Sequence, residues 1–151
     1  MTRIHRLLDE VREKHFVNPP ATAESIARFE DTVGWRLGED MRAFYLAFDG
    51  ARLFADVGPI YHVLPLSRIV RARVAIFGQD DDGHGPAGDY AFCYVQDSDY
   101  VAIDMSENED RNRLVRDCYH ETYPGQREVI ATSFVDFLER ALRSDGELYW
   151  L

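Results

Sequence analysis

The spacing of apolar residues changes at Gly50, and this change limits the chain to folds that combine helices with a sheet. Before Gly50, apolar residues recur about every three to four positions, which predicts amphipathic helices over residues 2–16, 22–33 and 39–48. After Gly50, short runs rich in β-branched and aromatic residues, bounded by Gly, Pro and Asp, predict strands. A chain that passes from helices to short strands in this way is typical of the α+β class.

The second half of the chain contains several short strands and two further helices. Strands are predicted over residues 60–64, 91–96, 100–105, 114–120 and 129–130. A fourth helix is predicted from Ser67 to Gly78, and Thr132 or Ser133 caps the last helix. The inward residues of the fourth helix would be Ile69, Val70, Val74 and Phe77.

These elements predict an α+β fold with a small, mostly antiparallel sheet and helices packed on one side of it. The 151 residues contain no internal repeat and no linker between domains. We therefore expect a single domain over residues 1–151, in which residues 1–18 form an N-terminal helix.

The acidic composition limits the classes of partner. The chain has 27 acidic and 17 basic residues, which gives a formal net charge of -10 at pH 7. Phosphate binding requires a basic surface, so nucleic acid is not expected as a partner. Negative charge would speed association with a basic protein, and simple solubility is the alternative explanation. Since no segment has the apolar length of a signal peptide or a membrane span, we expect a cytoplasmic protein without a membrane partner.

Acidic residues concentrate in the segment that carries the predicted hairpin. Residues 74–110 contain neither Lys nor Arg. If the turns of this segment meet at one edge of the sheet, they form a negative patch for a basic partner, with aromatic anchors near its centre. The candidate partner-binding residues are Asp80, Asp81, Asp82, Asp97, Asp99, Glu107, Glu109 and Asp110, with Trp35 and Tyr61 as anchors. Further aromatic candidates are Tyr94, Tyr100 and Tyr119, and the alternatives are ordinary acidic turns and half-buried packing.

The chain has no catalytic, metal or cofactor motif. Its five histidines are scattered, and neither a nucleophile elbow nor a phosphate-binding loop occurs. Cys118 and His120 could face the same side of a strand, but two residues do not make a triad. The loop over residues 80–89 lacks the spacing and terminal glutamate of an EF-hand, so a solvated or partner-facing loop is favoured over a calcium site. Cys93 and Cys118 are expected to be reduced, partly buried thiols, with a disulfide as the alternative.

Three motifs in the same order along the chain resemble the SUKH superfamily, which includes the fungal Smi/Knr-type cell-wall regulators. The first motif is Ile26-x-x-Phe29-Glu30-x-x-x-Gly34-x-x-Leu37-x-x-x-Met41-x-x-Phe44-x-x-x-Phe48-Asp49-Gly50. The second is Val63-Leu64-Pro65-Leu66-Ser67-Arg68-Ile69. The third is Ile130-Ala131-Thr132-Ser133-Phe134-Val135-Asp136-Phe137-Leu138. Gly38 departs from the pattern, because the family usually has proline at this position, where the first turn of a helix begins.

The resemblance implies a binding protein rather than an enzyme. Bacterial members of the superfamily are implied to be immunity proteins, which bind a cognate toxin, often a nuclease, without catalysis. Fungal members resemble them in fold and serve as regulatory interaction modules. Our hypothesis is a non-catalytic immunity protein that neutralises a basic toxin by direct binding. The alternative is a regulatory scaffold of the fungal cell-wall regulator kind, and a hydrolytic or metal-dependent enzyme is disfavoured by the missing motifs.

Overall fold

The first three helices lie where the apolar spacing predicted them, except that the first ends at Lys14 and residues 16–17 of the expected N-terminal helix form a strand. In the computed structural model, which describes residues 2–58, 60–96, 99–106 and 113–151, they are α1 (Arg3–Lys14), α2 (Ala23–Val33) and α3 (Glu39–Ala47). A capping box begins α2: the hydroxyl of Thr22 accepts from the backbone of Ser25, and the hydroxyl of Ser25 accepts from the backbone of Thr22. Gly34 ends α2 at φ 80°, a conformation that glycine adopts without strain.

The described strands form one antiparallel sheet. They are β1 (Phe16–Val17), β2 (Ala51–Leu53), β3 (Tyr61–Val63), β4 (Val70–Arg71), β5 (Asp89–Tyr94), β6 (Tyr100–Asp104), β7 (Val115–Cys118) and β8 (Val129–Ala131). Their order across the sheet is β1-β2-β3-β5-β6-β7-β8, and β4 also pairs with β5. Helix α4 (Ala72–Phe77) follows β4, and α5 (Phe134–Leu142) follows β8. The predicted α+β class with an antiparallel sheet is confirmed.

The two faces of the sheet carry different cores, because successive residues of a strand point to opposite faces. Tyr90 and Phe92 of β5 belong to the main core, to which α1, α2, α3 and α5 contribute. In this core the rings of Phe92 and Phe137 meet edge to face at 5.2 Å. Ala91 lies on the opposite face, where it packs with Ala72 of α4. The four longer helices that the structure describes pack on one side of the sheet, as predicted. The six-residue helix α4 covers the other face.

The fourth helix is shorter than predicted, and two of its inward residues were placed wrongly. A 3₁₀ turn (Leu66–Arg68) and β4 occupy the first half of the predicted helix. Val70 pairs with Ala91 of β5 and is 39% exposed, and Phe77 is 38% exposed. The pattern failed here because a strand of two residues is too short to have a recognisable period. The edge strand β1, with two residues, and its neighbour β2, with three, were missed because they too are short.

Gly50 is required where two backbone segments approach closely. Helix α3 ends at Ala47 with Phe48 as its C-cap, and Gly50 lies in the connection to β2 with φ 97°. A Cβ atom at this position would lie 2.7 Å from the carbonyl oxygen of Val63 in β3. The close approach of two backbone segments therefore leaves no room for a side chain.

Cys93 and Cys118 are free thiols, as predicted, but both are fully buried rather than partly buried. Burial in apolar surroundings raises the pKa of both thiols, which makes them unreactive at neutral pH. Within the part of the chain that the structure describes, no helix is long and apolar enough to cross a membrane.

Candidate functional site

A groove of about 570 Å³ opens at the end of the sheet where β5 turns into β6. It is formed by the end of the β5–β6 hairpin, by the chain between the middle of β7 and β8, and by the C-terminal residues after α5. We call it the hairpin-end groove, and its walls include Asp99, Asp117, Tyr119, Glu128, Leu148 and Trp150. Its volume lies within the range of ~300–1,000 Å³ that is typical of ligand pockets.

Asp117 lies in the wall of the groove because of its register in β7. It pairs with Val101 of β6, which belongs to the main core, so Asp117 points to the same face of the sheet. Burial raises the pKa of Asp117 to about 6, and the negative charges of Asp99 and Glu128 act in the same direction. A hydrogen bond with the Trp150 side chain opposes this rise. The ionised carboxylate is therefore in an environment that favours the approach of a positive charge.

Asp99 is held at the start of β6 by the turn that follows β7. Its carboxylate accepts a hydrogen bond from the backbone N–H of His120 at 3.2 Å and lies 2.6 Å from Nδ1 of the His120 ring. The Asp99 side chain is 15% exposed. This contact joins two of the segments that form the groove, and it fixes the position of an aspartate that the sequence singled out.

The groove combines negative charge with apolar and aromatic surface. Asp99, Asp117 and Glu128 contribute carboxylates, and no lysine or arginine is among the described residues that line it. Tyr119 is 38% exposed, while Leu148 and Trp150 are half-buried and pack against the main core. Such a surface can attract a cation and can also shield an apolar stem attached to it.

Arginines within the fold pair with two of the three aspartates in the triplet Asp80–Asp82, and His84 contacts the third. Arg73, whose side chain is 7% exposed, donates from Nε to Asp80 at 2.8 Å and from Nη1 to Asp82 at 2.9 Å. Arg71 donates to the second oxygen of Asp80 at 3.2 Å. The lack of Lys and Arg over residues 74–110 was therefore misleading, because arginines that precede this segment fold onto it. That the triplet binds a partner stays a prediction. Its uncompensated negative charge is smaller than the sequence indicated.

The described acidic turns lie at two ends of the sheet rather than on one edge. The loop with Asp80–Asp82 precedes β5 and the turn with Asp99 follows it, so this six-residue strand separates them by roughly 17–20 Å. Four further candidates lie outside the described residues: Asp97, Glu107, Glu109 and Asp110. Of the acidic candidates that the structure describes, Asp99 lines the hairpin-end groove.

Neither of the two proposed aromatic anchors lines the groove. Trp35 is half-buried in the connection after α2 and lines a separate groove of about 470 Å³. Tyr61 has no exposed surface, and its hydroxyl donates to the carbonyl oxygen of Glu147 at 2.5 Å. The choice of Tyr61 as a surface anchor was therefore wrong, because it is a core residue. Tyr119, a further aromatic candidate, does line the hairpin-end groove.

Asp117, Glu128 and Trp150 were not predicted as site residues. Asp117 carries a signal that could have identified it, since it alternates with Val115 in a predicted strand and so places a carboxylate on the inward face. A buried carboxylate is costly unless it is paired, and its presence there invites a functional explanation. Glu128 and Trp150 carry no comparable signal, because their positions depend on how distant segments pack.

The described residues include no group of three or more His, Cys, Asp or Glu side chains that could hold a metal ion. Cys118 is fully buried on the face of the sheet that α4 covers, whereas the ring of His120 contacts Asp99. The two residues therefore do not form the nucleophile and base that covalent catalysis requires.

Comparison of the sequence with known proteins finds a family that matches most of this chain. The model of the SMI1 / KNR4 family (SUKH-1) matches residues 20–140. The chain is also 30% identical over 120 residues to the immunity protein YokJ of Bacillus subtilis (strain 168), an alignment that covers 77% of this chain and 71% of that protein. These matches confirm the resemblance to the SUKH superfamily that the three motifs indicated. Asp99, Asp117 and Glu128 lie within the range matched by the family model, and Trp150 lies after it.

Proposed function

The chain belongs to the SMI1/KNR4 family (SUKH-1), and from this membership we propose that it is an immunity protein, which neutralises a cognate bacterial toxin by binding it. The observation that carries the proposal is the 30% identity to a protein named immunity protein YokJ. That alignment covers 77% of the chain, so the similarity concerns the fold as a whole rather than one motif.

Neutralisation by binding, without catalysis, fits the chemistry of the described residues. Both thiols are buried, and burial keeps them protonated. The ring of His120 contacts the carboxylate of Asp99. A protein that occludes a toxin needs a complementary surface rather than a reactive group, and the hairpin-end groove offers such a surface.

We further propose that the toxin presents a basic surface to this chain. The formal net charge of -10 would accelerate association with a positively charged partner and disfavour binding to nucleic acid. A nuclease toxin fits this requirement, because a surface that binds nucleic acid is itself basic. The complex would form in the cytoplasm, where a nuclease toxin meets its substrate.

Co-expression with the polypeptide encoded beside the gene for this chain tests the proposal. That polypeptide alone should arrest the growth of a laboratory strain, and this chain should restore growth and co-purify with it. The control is a protein of similar size and charge from outside the family. Growth arrest that this chain does not relieve would refute the proposal. A neighbouring gene whose product is harmless would favour the regulatory scaffold.

A titration distinguishes occlusion from catalysis once the toxin is purified. If the chain acts by binding, toxin activity should fall in proportion to the chain added and should vanish near one equivalent. Toxin recovered from the complex after unfolding and refolding should have an unchanged mass and full activity. Inactivation by much less than one equivalent would contradict the non-catalytic part of the proposal.

A further inference from the structure

We propose that the hairpin-end groove receives an arginine side chain of the partner protein. The identity of the partner rests on the proposed function, but the groove consists of this chain's own residues. Its three carboxylates come from separate segments: Asp99 from the β5–β6 hairpin, Asp117 from β7 and Glu128 from the residues just before β8. The fold therefore assembles a negative site that no single stretch of sequence contains.

Among the described residues, no lysine or arginine side chain within the groove balances its negative charge. The charged groups that face Asp117 are Asp99 and Glu128, and both are acidic. Asp99 also contacts His120, whose charge depends on pH. By contrast, this chain's own arginines already pair with Asp80 and Asp82 in the loop before β5. A positively charged side chain of a partner would therefore gain more electrostatic free energy of binding at the groove than at the loop.

The apolar walls favour the guanidinium group of arginine over the ammonium group of lysine. A guanidinium is more weakly hydrated, and it can bind a carboxylate through two N–H groups at once and stack on an aromatic ring. Tyr119 and Trp150 supply aromatic rings, and Leu148 supplies apolar surface for the methylene stem. The ammonium of lysine would lose more hydration in such a groove and would make fewer directional contacts.

The C-terminal wall of the groove is held in place before any partner arrives. The hydroxyl of Tyr149 donates to the carbonyl oxygen of Ile130 at 2.7 Å, and the ring of Trp150 meets the buried ring of Tyr61 edge to face at 6.1 Å. These contacts attach the last residues of the chain to β8 and to the main core. A preorganised wall binds a side chain without the entropy cost of ordering a loose segment.

An NMR titration tests the groove without the toxin. The probe is N-acetyl-L-arginine methylamide, added to the full, nitrogen-15-labelled chain at low salt and pH 7.5. The chain contains two tryptophans, so one indole N–H signal reports on the groove (Trp150) and the other on a region outside it (Trp35). We expect a saturable shift of the Trp150 signal at millimolar probe and no shift of the Trp35 signal. The neutral citrulline derivative, which has nearly the same shape, should shift neither signal.

Variants identify the carboxylates that bind the probe. Asp117→Asn should weaken binding of the arginine derivative by about tenfold, as expected when a charge-assisted hydrogen bond becomes a neutral one. Glu128→Gln should also weaken it, whereas Asp56→Asn, at an exposed aspartate in the turn after β2, is the matched control and should have no effect. The proposal would be overturned if the Trp150 signal did not shift, or if the arginine and citrulline derivatives shifted it equally. It would also be overturned if the corresponding lysine derivative, added in the same way, bound more strongly than the arginine derivative. Each of these results would leave the co-expression test of the proposed function unaffected.

Discussion

Replacing Asp117 with asparagine should stabilise the free protein at neutral pH. In the folded chain, burial and the charges of Asp99 and Glu128 raise the pKa of Asp117 from its ordinary 3.8 to about 6. The folded chain therefore binds this proton more tightly than the unfolded chain does, so ionisation of Asp117 lowers the free energy of unfolding. The stability that the protonated group contributes is fully present below pH 3.8 and is lost as the pH rises through about 6.

The size of the effect follows from the difference between the two pKa values. A rise from 3.8 to about 6 is about 2 units, which would amount to roughly 3 kcal/mol for a fully buried group. Asp117 is only half-buried, so solvent screens much of this cost and we expect about 1 kcal/mol. Asparagine has nearly the same shape and keeps an oxygen that can accept from Trp150, so the substitution removes charge without creating a cavity. D117N should therefore be more stable than the natural chain by about 1 kcal/mol at pH 7.5.

Urea unfolding at several pH values between 4 and 8 measures this difference. The advantage of D117N should be largest at pH 7.5 and should shrink as the pH falls from 6 towards 4, because the natural Asp117 is then protonated. Asp56→Asn is the control for general effects of removing a negative charge. A variant that is less stable than the natural chain at pH 7.5, or an advantage that is independent of pH, would refute the electrostatic account of the groove.

Three further predictions concern buried contacts. Asp89→Asn should lower the free energy of unfolding by about 3 kcal/mol, because Asp89 is 1% exposed and accepts from both Nε and Nη2 of Arg127, which would lose its counter-charge. Urea unfolding checks this, and a loss too small to measure would contradict it. Gly50→Ala should lower the free energy of unfolding by about 2 kcal/mol, because φ is 97° and the new Cβ would lie 2.7 Å from the carbonyl oxygen of Val63. An unchanged melting temperature would contradict this prediction. Tyr61→Phe should lower the free energy of unfolding by about 1 kcal/mol, because the Tyr61 hydroxyl makes hydrogen bonds to the backbone of the C-terminal segment. Calorimetry checks this, and an unchanged stability would show that these hydrogen bonds do not stabilise the fold.

Elements with local signals were predictable from the sequence. Helix α2 begins at Thr22 and ends at Gly34 because a capping box and a left-handed glycine determine its ends without help from distant residues. The β5–β6 hairpin follows from two adjacent runs of strand-forming residues. By contrast, β1 and β4 have two residues each and exist only because longer strands pair with them. That residues 1–151 form a single domain stays a prediction from the sequence.

The candidate site was predictable only in part, because charge along a sequence differs from charge in space. Asp99 was predicted as a site residue because it lies in the acidic turn between the two strands of the predicted hairpin. The negative charge of the acidic loop was overestimated, because Arg73 precedes the segment that lacks basic residues but donates a hydrogen bond to Asp80 in the fold. Glu128 was missed because it meets Asp117 through the pairing of β7 with the short strand β8, and Trp150 because it reaches Asp117 only through the packing of the last residues against the sheet. Distant pairings of this kind leave no trace in periodicity or composition.

The cost of ionising Asp117 in the free protein also explains why a partner would bind at the groove rather than at the acidic loop. At the loop, a partner's arginine would have to compete with Arg73 for Asp80 and Asp82, so much of its attraction would replace contacts that already exist. At the groove, an arriving guanidinium would relieve the repulsion between Asp117 and its acidic neighbours and would lower the pKa of Asp117 below about 6. The part of the ionisation cost that comes from Asp99 and Glu128 would be offset in the complex, whereas burial, the larger cause, would remain. Because only the ionised carboxylate attracts the cation, affinity should fall as the pH drops through about 6, which couples binding to proton release.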